Sequence, residues 1–483
     1  MPPITNPDIL PGVTVRIADN QLRVSPSQVG PKVTVMGTTT SVALEIGEPV
    51  SIIDPTADIR RLQHIDGSPS ELSMAVAELL RIGALSIEVV KVGTTGLTGP
   101  AVTANQRFDM FEAAYSTLRY QDVDFVVPIC AVDQTGLSGT SPAGRDRTMG
   151  YHRQLGNFCF QATKLWNSCY GIIGVRNLNK VARDEAWTGA PTTDAEELFD
   201  DPPTSHVLEW VHHLRIETGA LHNHTAETAL LGFIAGSIQT APGQISGDYD
   251  LWALEEDGSA AVDRYGESVD GGAYFAVTAM LARIRTQETQ NLANSYNIPD
   301  QRTQHVMCAG AVAYAGLLSG LPPEIAATNQ PIQGLVPSRK MAAALATQLI
   351  QARMVTMVDR SGTFVVSRDT SAARNAGPHT RSDFCLTSTM RIVEAMTDIV
   401  RNRSLRFIGR PIVPTNRAAL SAEIRAGLES MQPSGAIRSF DFFVRSSSDD
   451  QVLGKATIEV QAQVGMELID ITNFIGLQKP DGI

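Results

Sequence analysis

Four apolar runs, each divided from the next by a helix-like stretch, constrain this chain more than any other feature. They are "KVTVMG" from Lys32, "LSIEVVKVG" from Leu85, "VDFVVPICAVD" from Val123 and "CYGIIGVR" from Cys169. Runs of this kind, apolar on both faces and rich in Val and Ile, belong to strands covered on both sides, as in a parallel sheet. Between them, "SPSELSMAVAELLRIGA" predicts a helix. Ser70 is placed to cap it, Leu72, Ala75, Val76, Leu79 and Leu80 share one face, and Gly83 closes it. Phe108–Arg119 and Arg145–Trp166 predict two more helices, with a Gly/Thr linker at Gly93–Ala104. Strands alternating with helices define an α/β layer of doubly wound character.

Beyond Arg176 the pattern loosens. Asn177–Pro203 is polar and acidic, and Gly243–Gly272 is rich in Gly and Asp. A helix is predicted near Ala273–Arg285, a strand followed by a small-residue helix ending at Pro322–Pro323, and a further helix over Lys340–Met354. A hairpin turns at Ser361–Gly362. A long helix begins near Leu386 with Ile392, Val393, Met396 and Ile399 at helical spacing, and basic residues crowd its end, where the helix dipole favours them. A shorter helix follows with Thr415 or Asn416 as its cap.

The chain's two ends share a peculiarity. Phe440–Arg445 and Lys455–Val464 alternate as a hairpin, and Met466–Leu477 is a third strand-like run after Gly465 with no helix to cover it. At the other end, Val13, Val15 and Ile17 form a lone alternating strand after a Pro-Gly turn. Uncovered apolar strands are aggregation hazards unless another strand pairs with them, from the same chain or another copy.

Charge and composition exclude several roles. With 39 Lys+Arg against 51 Asp+Glu the net charge is −12, which argues against a dedicated nucleic-acid binder. From Arg339 to Arg445, however, sixteen basic residues face eight acidic ones, which leaves −20 on the rest. Such a block marks either a face for an acidic partner or a solvated surface. No apolar run reaches membrane-spanning length, and the start lacks the pattern of a signal peptide. Five cysteines without a CxxC pair fit free thiols in a reducing compartment. Cytoplasmic synthesis without a Sec-type signal is therefore expected.

Catalytic signatures are missing: no phosphate loop, zinc helix or nucleophile elbow is present. "GTTGLTG" at Gly93–Gly99 follows a strand without opening a helix. His212, His213, His222 and His224 cluster, and His222 with His224 would share a strand face as metal ligands, but no nearby Cys supplies a soft ligand. Solvent-facing or subunit-contact histidines explain the cluster equally. Asp122, Asp124 and Asp133 flank one strand, and only Asp133 lies at the carboxyl end where α/β enzymes place catalysis. A turn-forming role suits it. Cys159 and Cys169 read as buried thiols rather than a redox pair. No catalytic, cofactor or metal site is expected.

In their order, several stretches resemble the sheath proteins of contractile phage tails, related to those of R-type pyocins and type VI secretion machines. They are "LPGVTVRIADN", "VTVMGTTTSVALEIGEPVSI" with "ELSMAVAELLRIGALSIEVVKVG", "DRSGTFVVSRDTS" and "GKATIEVQAQVGMELIDITNFI". Where the family often has Trp-Gly-x-Arg-Thr, this chain has Val-Ser-Arg-Asp-Thr. The resemblance implies an N-terminal arm over 1–30 and an α/β body over 31–340 with a variable outward-facing insertion around 177–272. It further implies a tube-facing α+β domain over 341–465 ending in a hairpin, and a C-terminal arm over 466–483.

It implies equally a homo-oligomeric helical tube around an inner tail tube, with baseplate and tail terminator proteins as further partners. No nucleotide, nucleic acid or membrane insertion is involved. The location is the virion tail, assembled in the host bacterial cytoplasm. Strands exchanged between copies would involve Val13, Val15, Ile17, Phe440, Phe442, Val444, Ile458, Val460, Leu468, Ile469, Ile471 and Phe474. Arg401, Arg403, Arg406, Arg410, Arg417 and Arg425 are candidates for contact with an acidic tube. A tube or baseplate component and a cytoplasmic α/β enzyme are the rival readings.

Overall fold

A computed structural model describes residues 31–94, 103–174, 253–284, 310–373 and 382–465, with short breaks inside these ranges. Among the described residues the body is built on a seven-stranded sheet. Its strands are β1 (Lys32–Thr38), β2 (Pro49–Ser51), β3 (Ser86–Gly93), β4 (Phe125–Pro128), β5 (Tyr170–Gly174), β6 (Phe275–Thr278) and β9 (Met354–Val355). They lie in the order β2-β3-β1-β4-β5-β6-β9. All neighbours pair in parallel except β2, a three-residue edge strand antiparallel to β3. The parallel strands therefore run second-first-third-fourth in chain order, the flavodoxin-like winding, with the switch point between β1 and β4.

Period-two alternation divides every central strand between two cores. Val33, Val35, Phe125, Val127, Tyr170 and Ile172 face α1 (Pro55–Leu62), α2 (Glu71–Ile82) and α5 (Gly310–Ser319). Met36, Val126, Ile173, Phe275 and Val277 face α3 (Ala104–Leu118) and α4 (Gly150–Lys164) on the opposite side. Near-continuous apolar runs result because neither face meets water. The predicted start of α2 holds: Ser70 accepts the Ser73 N–H and Ser73 reciprocates, a capping box. Gly83 ends it at φ 100°, a left-handed conformation that glycine adopts without steric cost. Thr103 and Gln106 make a second capping box at α3.

Two local expectations fail. The helix expected over Ala273–Arg285 is instead a short 3-10 turn at Gly271–Tyr274, then β6 and, after a break, β7 (Ala282–Ile284), which pairs with β8 (Leu335–Pro337). Parallel pairing of β6 between β5 and β9 overrides the helical spacing. The shorter helix that follows the long one from Leu386 begins at Pro414 rather than at a Thr415 or Asn416 cap. Val413 is the cap residue with no side-chain bond, and Asn416 Nδ2 donates to the Pro411 carbonyl at 2.8 Å. Proline suits the first turn because its missing N–H would be unpaired there in any case. The helix expected over Arg145–Trp166 starts five residues later, and most of Lys340–Met354 lies outside the described residues.

The hairpin β10 (Met357–Arg360) and β11 (Thr363–Val366) forms as expected around 361–362. Its Met357, Phe364 and Val366 join the body's first core. A separate core lies beyond it, built from α6 (Thr387–Leu405), α7 (Pro414–Glu429), β12 (Ile437–Arg445) and β13 (Thr457–Val464).

Candidate intersubunit interface

Helix α6 carries the C-terminal unit, and its first two turns are buried in the body. Tyr170 Oη and Thr387 Oγ1 lie 3.1 Å apart, and the Ser388 N–H donates to Asp369 Oδ2 at 3.0 Å. Tyr314 also donates to Asp369, which is wholly buried. Arg391 donates to the Leu318 carbonyl at 3.1 Å, to the Leu321 carbonyl, and to Ile325 at 3.4 Å. The guanidinium thus sits on carbonyls at and just beyond the end of α5, where it meets the negative end of that helix. Burial lowers the Arg391 pKa, while the charge of Asp369 opposes the shift.

Two turns on, Asp398 accepts from Ser168 Oγ at 2.6 Å, and Arg401 donates to the Thr163 carbonyl. Asp124, at the amino end of β4, accepts the Lys32 N–H at 2.6 Å, and burial pushes its carboxyl up to about 6. Burial likewise raises Asp398, and raises Glu394 well above the carboxylate range. Helix α6 thus runs along the amino edge of the parallel sheet, away from the carboxyl edge where α/β enzymes do chemistry.

Over the same stretch, Ile392, Met396, Ile399 and Val400 of α6 turn to the second core with Leu420, Ile424 and Leu428 of α7. The hairpin lies over both helices. Phe440 pairs with Ala462, Phe442 with Val460 and Val444 with Ile458, and all six pack against that core. The opposite face carries Asp441, Phe443, Glu459 and Gln461, with Phe443 40% exposed and the Arg445 guanidinium 5.2 Å from its ring centroid. Phe440, Phe442, Val444, Ile458 and Val460 therefore bind the hairpin to its own helices. A strand added to this sheet would meet its backbone edge. Among the described residues β12 and β13 pair only with each other, and neither outer edge has a strand partner. Gly465 ends the hairpin by donating to the Ala436 carbonyl at 2.8 Å, and a Cβ there would lie 2.2 Å from the Gly435 oxygen.

Sequence reasoning missed the joint. Ser168, Asp369 and Asp398 are ordinary polar residues in loops or on a helix, and nothing in their local spacing announces pairing across the chain. Of the six arginines singled out, Arg401 is spent inside the joint, and Arg403 lies 3.1 Å from Glu423. Arg406 is exposed with Glu423 at 3.9 Å, and the Arg410 and Arg425 guanidinium groups lie 5.0 and 5.3 Å from the Phe407 and Phe442 rings. Arg417 is half-buried. Val13, Val15, Ile17, Leu468, Ile469, Ile471 and Phe474 lie outside the described residues, as do Asp133, His212, His213, His222 and His224. Among the described residues no three His, Cys, Asp or Glu side chains are grouped to hold a metal, and no helix is long and apolar enough to cross a membrane.

A doubly wound α/β body with an appended helix-and-hairpin unit defines a structural class shared with chains of contractile machines. No family model and no curated protein matches the sequence. Solved structures do. A chain of the anti-feeding prophage baseplate aligns over 97% of this chain and 99% of its own, with TM-score 0.54 and 11% identity. A chain of the PVC sheath complex of an extracellular contractile injection system, in its contracted state, aligns over 97% of both chains with TM-score 0.51 and 12% identity. The chain has the fold of these contractile-system proteins.

Proposed function

We propose that this chain is a structural subunit of a contractile tail sheath and not an enzyme. Copies polymerise as a helical tube around an inner tail tube and contract to drive that tube through a target envelope. The observation that carries this reading is the likeness to a sheath-complex chain over 97% of both chains. In the proposed division, residues 1–30 and 466–483 are arms. The boundary expected at 340/341 is moved into α6, because β9 lies in the body sheet and Met357, Phe364 and Val366 join its core. Residues from 31 to there form the body, and the rest of α6 with α7 and the hairpin forms the polymerisation unit.

Arms from neighbouring copies add strands to the β12–β13 edges, which is β-augmentation repeated by an open helical operator. About five backbone hydrogen bonds at ~1 kcal/mol each would hold a neighbour while the bodies rotate. Arg406, Arg410 and Arg425 remain as the exposed basic residues for an acidic tube, and such a contact weakens as salt rises. Baseplate and terminator proteins would meet the tube's ends, and assembly would take place in a host bacterial cytoplasm.

Negative-stain microscopy of the purified chain tests the proposal. Long hollow tubes are expected, and deletion of Met1–Asn20 is expected to leave a soluble body that forms none. Normal tubes from the truncated chain would refute the arm assignment. A second reading, a component of the baseplate itself, is favoured by the likeness to the baseplate chain. It predicts closed rings in place of tubes. A small discrete oligomer with a ligand-binding pocket would sink both.

A further inference from the structure

Two cysteines bracket the loop that receives α6. Cys159 on α4 and Cys169 just before β5 are both fully buried free thiols, and their Sγ atoms lie 3.7 Å apart. A disulfide holds its sulfurs at about 2.05 Å, so an approach of about 1.7 Å separates this contact from a bond. Between the two cysteines lie Thr163 and Ser168, whose carbonyl and hydroxyl hold Arg401 and Asp398 of α6. The loop is already folded back on α4: the Cys169 N–H donates to Thr163 Oγ1 at 3.2 Å, and Asn167 N–H to the Ala162 carbonyl at 2.9 Å. The sulfurs thus face each other across a preformed turn.

We propose that Cys159 and Cys169 are an oxidative modification site, a latent disulfide that staples this loop and stiffens the joint between the body and the C-terminal unit. With a diazene oxidant such as diamide, one thiolate adds to the N=N bond and forms an S–N bond. The second thiolate attacks that sulfur, the S–S bond forms and the S–N bond breaks. Two electrons and the two thiol protons end on the nitrogens, which leave as a hydrazine. Burial raises the Cys169 thiol well above its ordinary value. Thiolate is scarce there, and the pair stays reduced in a reducing compartment and closes only when an oxidant arrives.

The test uses the full chain, oxidised with diamide at mildly alkaline pH, alkylated and digested with trypsin without reduction. Cleavage after Arg153, Lys164 and Arg176 places the two cysteines on separate peptides, 154–164 and 165–176. The expected product is that pair joined, two mass units lighter than the two free peptides together. Hydrogen exchange across residues 394–405 is expected to slow several-fold in the oxidised chain and to be unchanged by oxidant in Cys169→Ser. Alkylation of both thiols after oxidation, or preferential pairing of Cys159 with Cys130, Cys308 or Cys385, would overturn the site. A joined peptide pair with unaltered exchange in α6 would overturn the stapling.

Discussion

Ser168 donates its hydroxyl to Asp398 at 2.6 Å, joining the loop before β5 to the middle of α6 across 230 residues of sequence. With Arg401 on the Thr163 carbonyl, this contact ties the C-terminal unit to the amino edge of the body sheet. Ser168→Ala is expected to cost about 1 kcal/mol of stability, more if the Asp398 carboxylate is left without a substitute. Asp398→Ala combined with it should be less than additive, because both substitutions break one bond. Denaturant titration of the single and double variants checks this, and strict additivity would show that the pair is not coupled.

Acid should strengthen the same joint. Asp124 is raised from 3.8 to about 6, chiefly by burial, with Asp122 and Asp398 adding to the shift and Lys32 opposing it. A carboxyl whose folded pKa exceeds its unfolded one gives stability that is full below the unfolded value and is lost as pH rises through the folded value. Stability should therefore fall between about pH 4 and pH 6 from this group, and Asp398 and Glu394 act with the same sign. Asp124→Asn is expected to flatten that slope and to gain on the order of 2 kcal/mol at pH 7. Unfolding midpoints measured from pH 4 to pH 7 would reveal it.

Of the inner-face residues Phe440, Phe442, Val444, Ile458, Val460 and Ala462, Phe442 is the most buried at 8% exposure, and it shares its core with Ile424 and Leu428. Phe442→Ala should cost about 3–4 kcal/mol in the C-terminal unit. The loss should register as early melting of that unit, followed by exchange or limited proteolysis, while the body core with Val35 and Val127 keeps its protection.

Gly465 sits where the described chain leaves β13. A Cβ at this position would collide with the Gly435 carbonyl oxygen at 2.2 Å, a backbone atom that cannot swing aside. Gly465→Ala is expected to break the bond to the Ala436 carbonyl and to lower stability by about 1–3 kcal/mol. On the proposed function it should also reduce tube formation, by redirecting residues 466–483. Normal thermal stability in the variant would show that the turn relaxes freely.

The sequence alone determined the elements whose signals are local. Val33, Val35, Val127 and Ile172 announce buried parallel strands because both faces of such strands are dry. Ser70 and Gly83 mark the ends of α2 because capping depends on bonds within a few residues. The alternation of Phe440, Phe442 and Val444 marks the hairpin for the same reason. Tertiary structure alone decided what depends on distant partners. It made β6 a strand where spacing suggested a helix, because β5 and β9 stand on either side. It spent Arg401 inside the joint, where the resemblance had offered it to an acidic tube. It also brought Cys159 and Cys169 together and set Ser168 against Asp398. Hydrogen bonds and charge pairs act over a few ångströms of space, and distance along the chain says nothing about which polar groups will meet there.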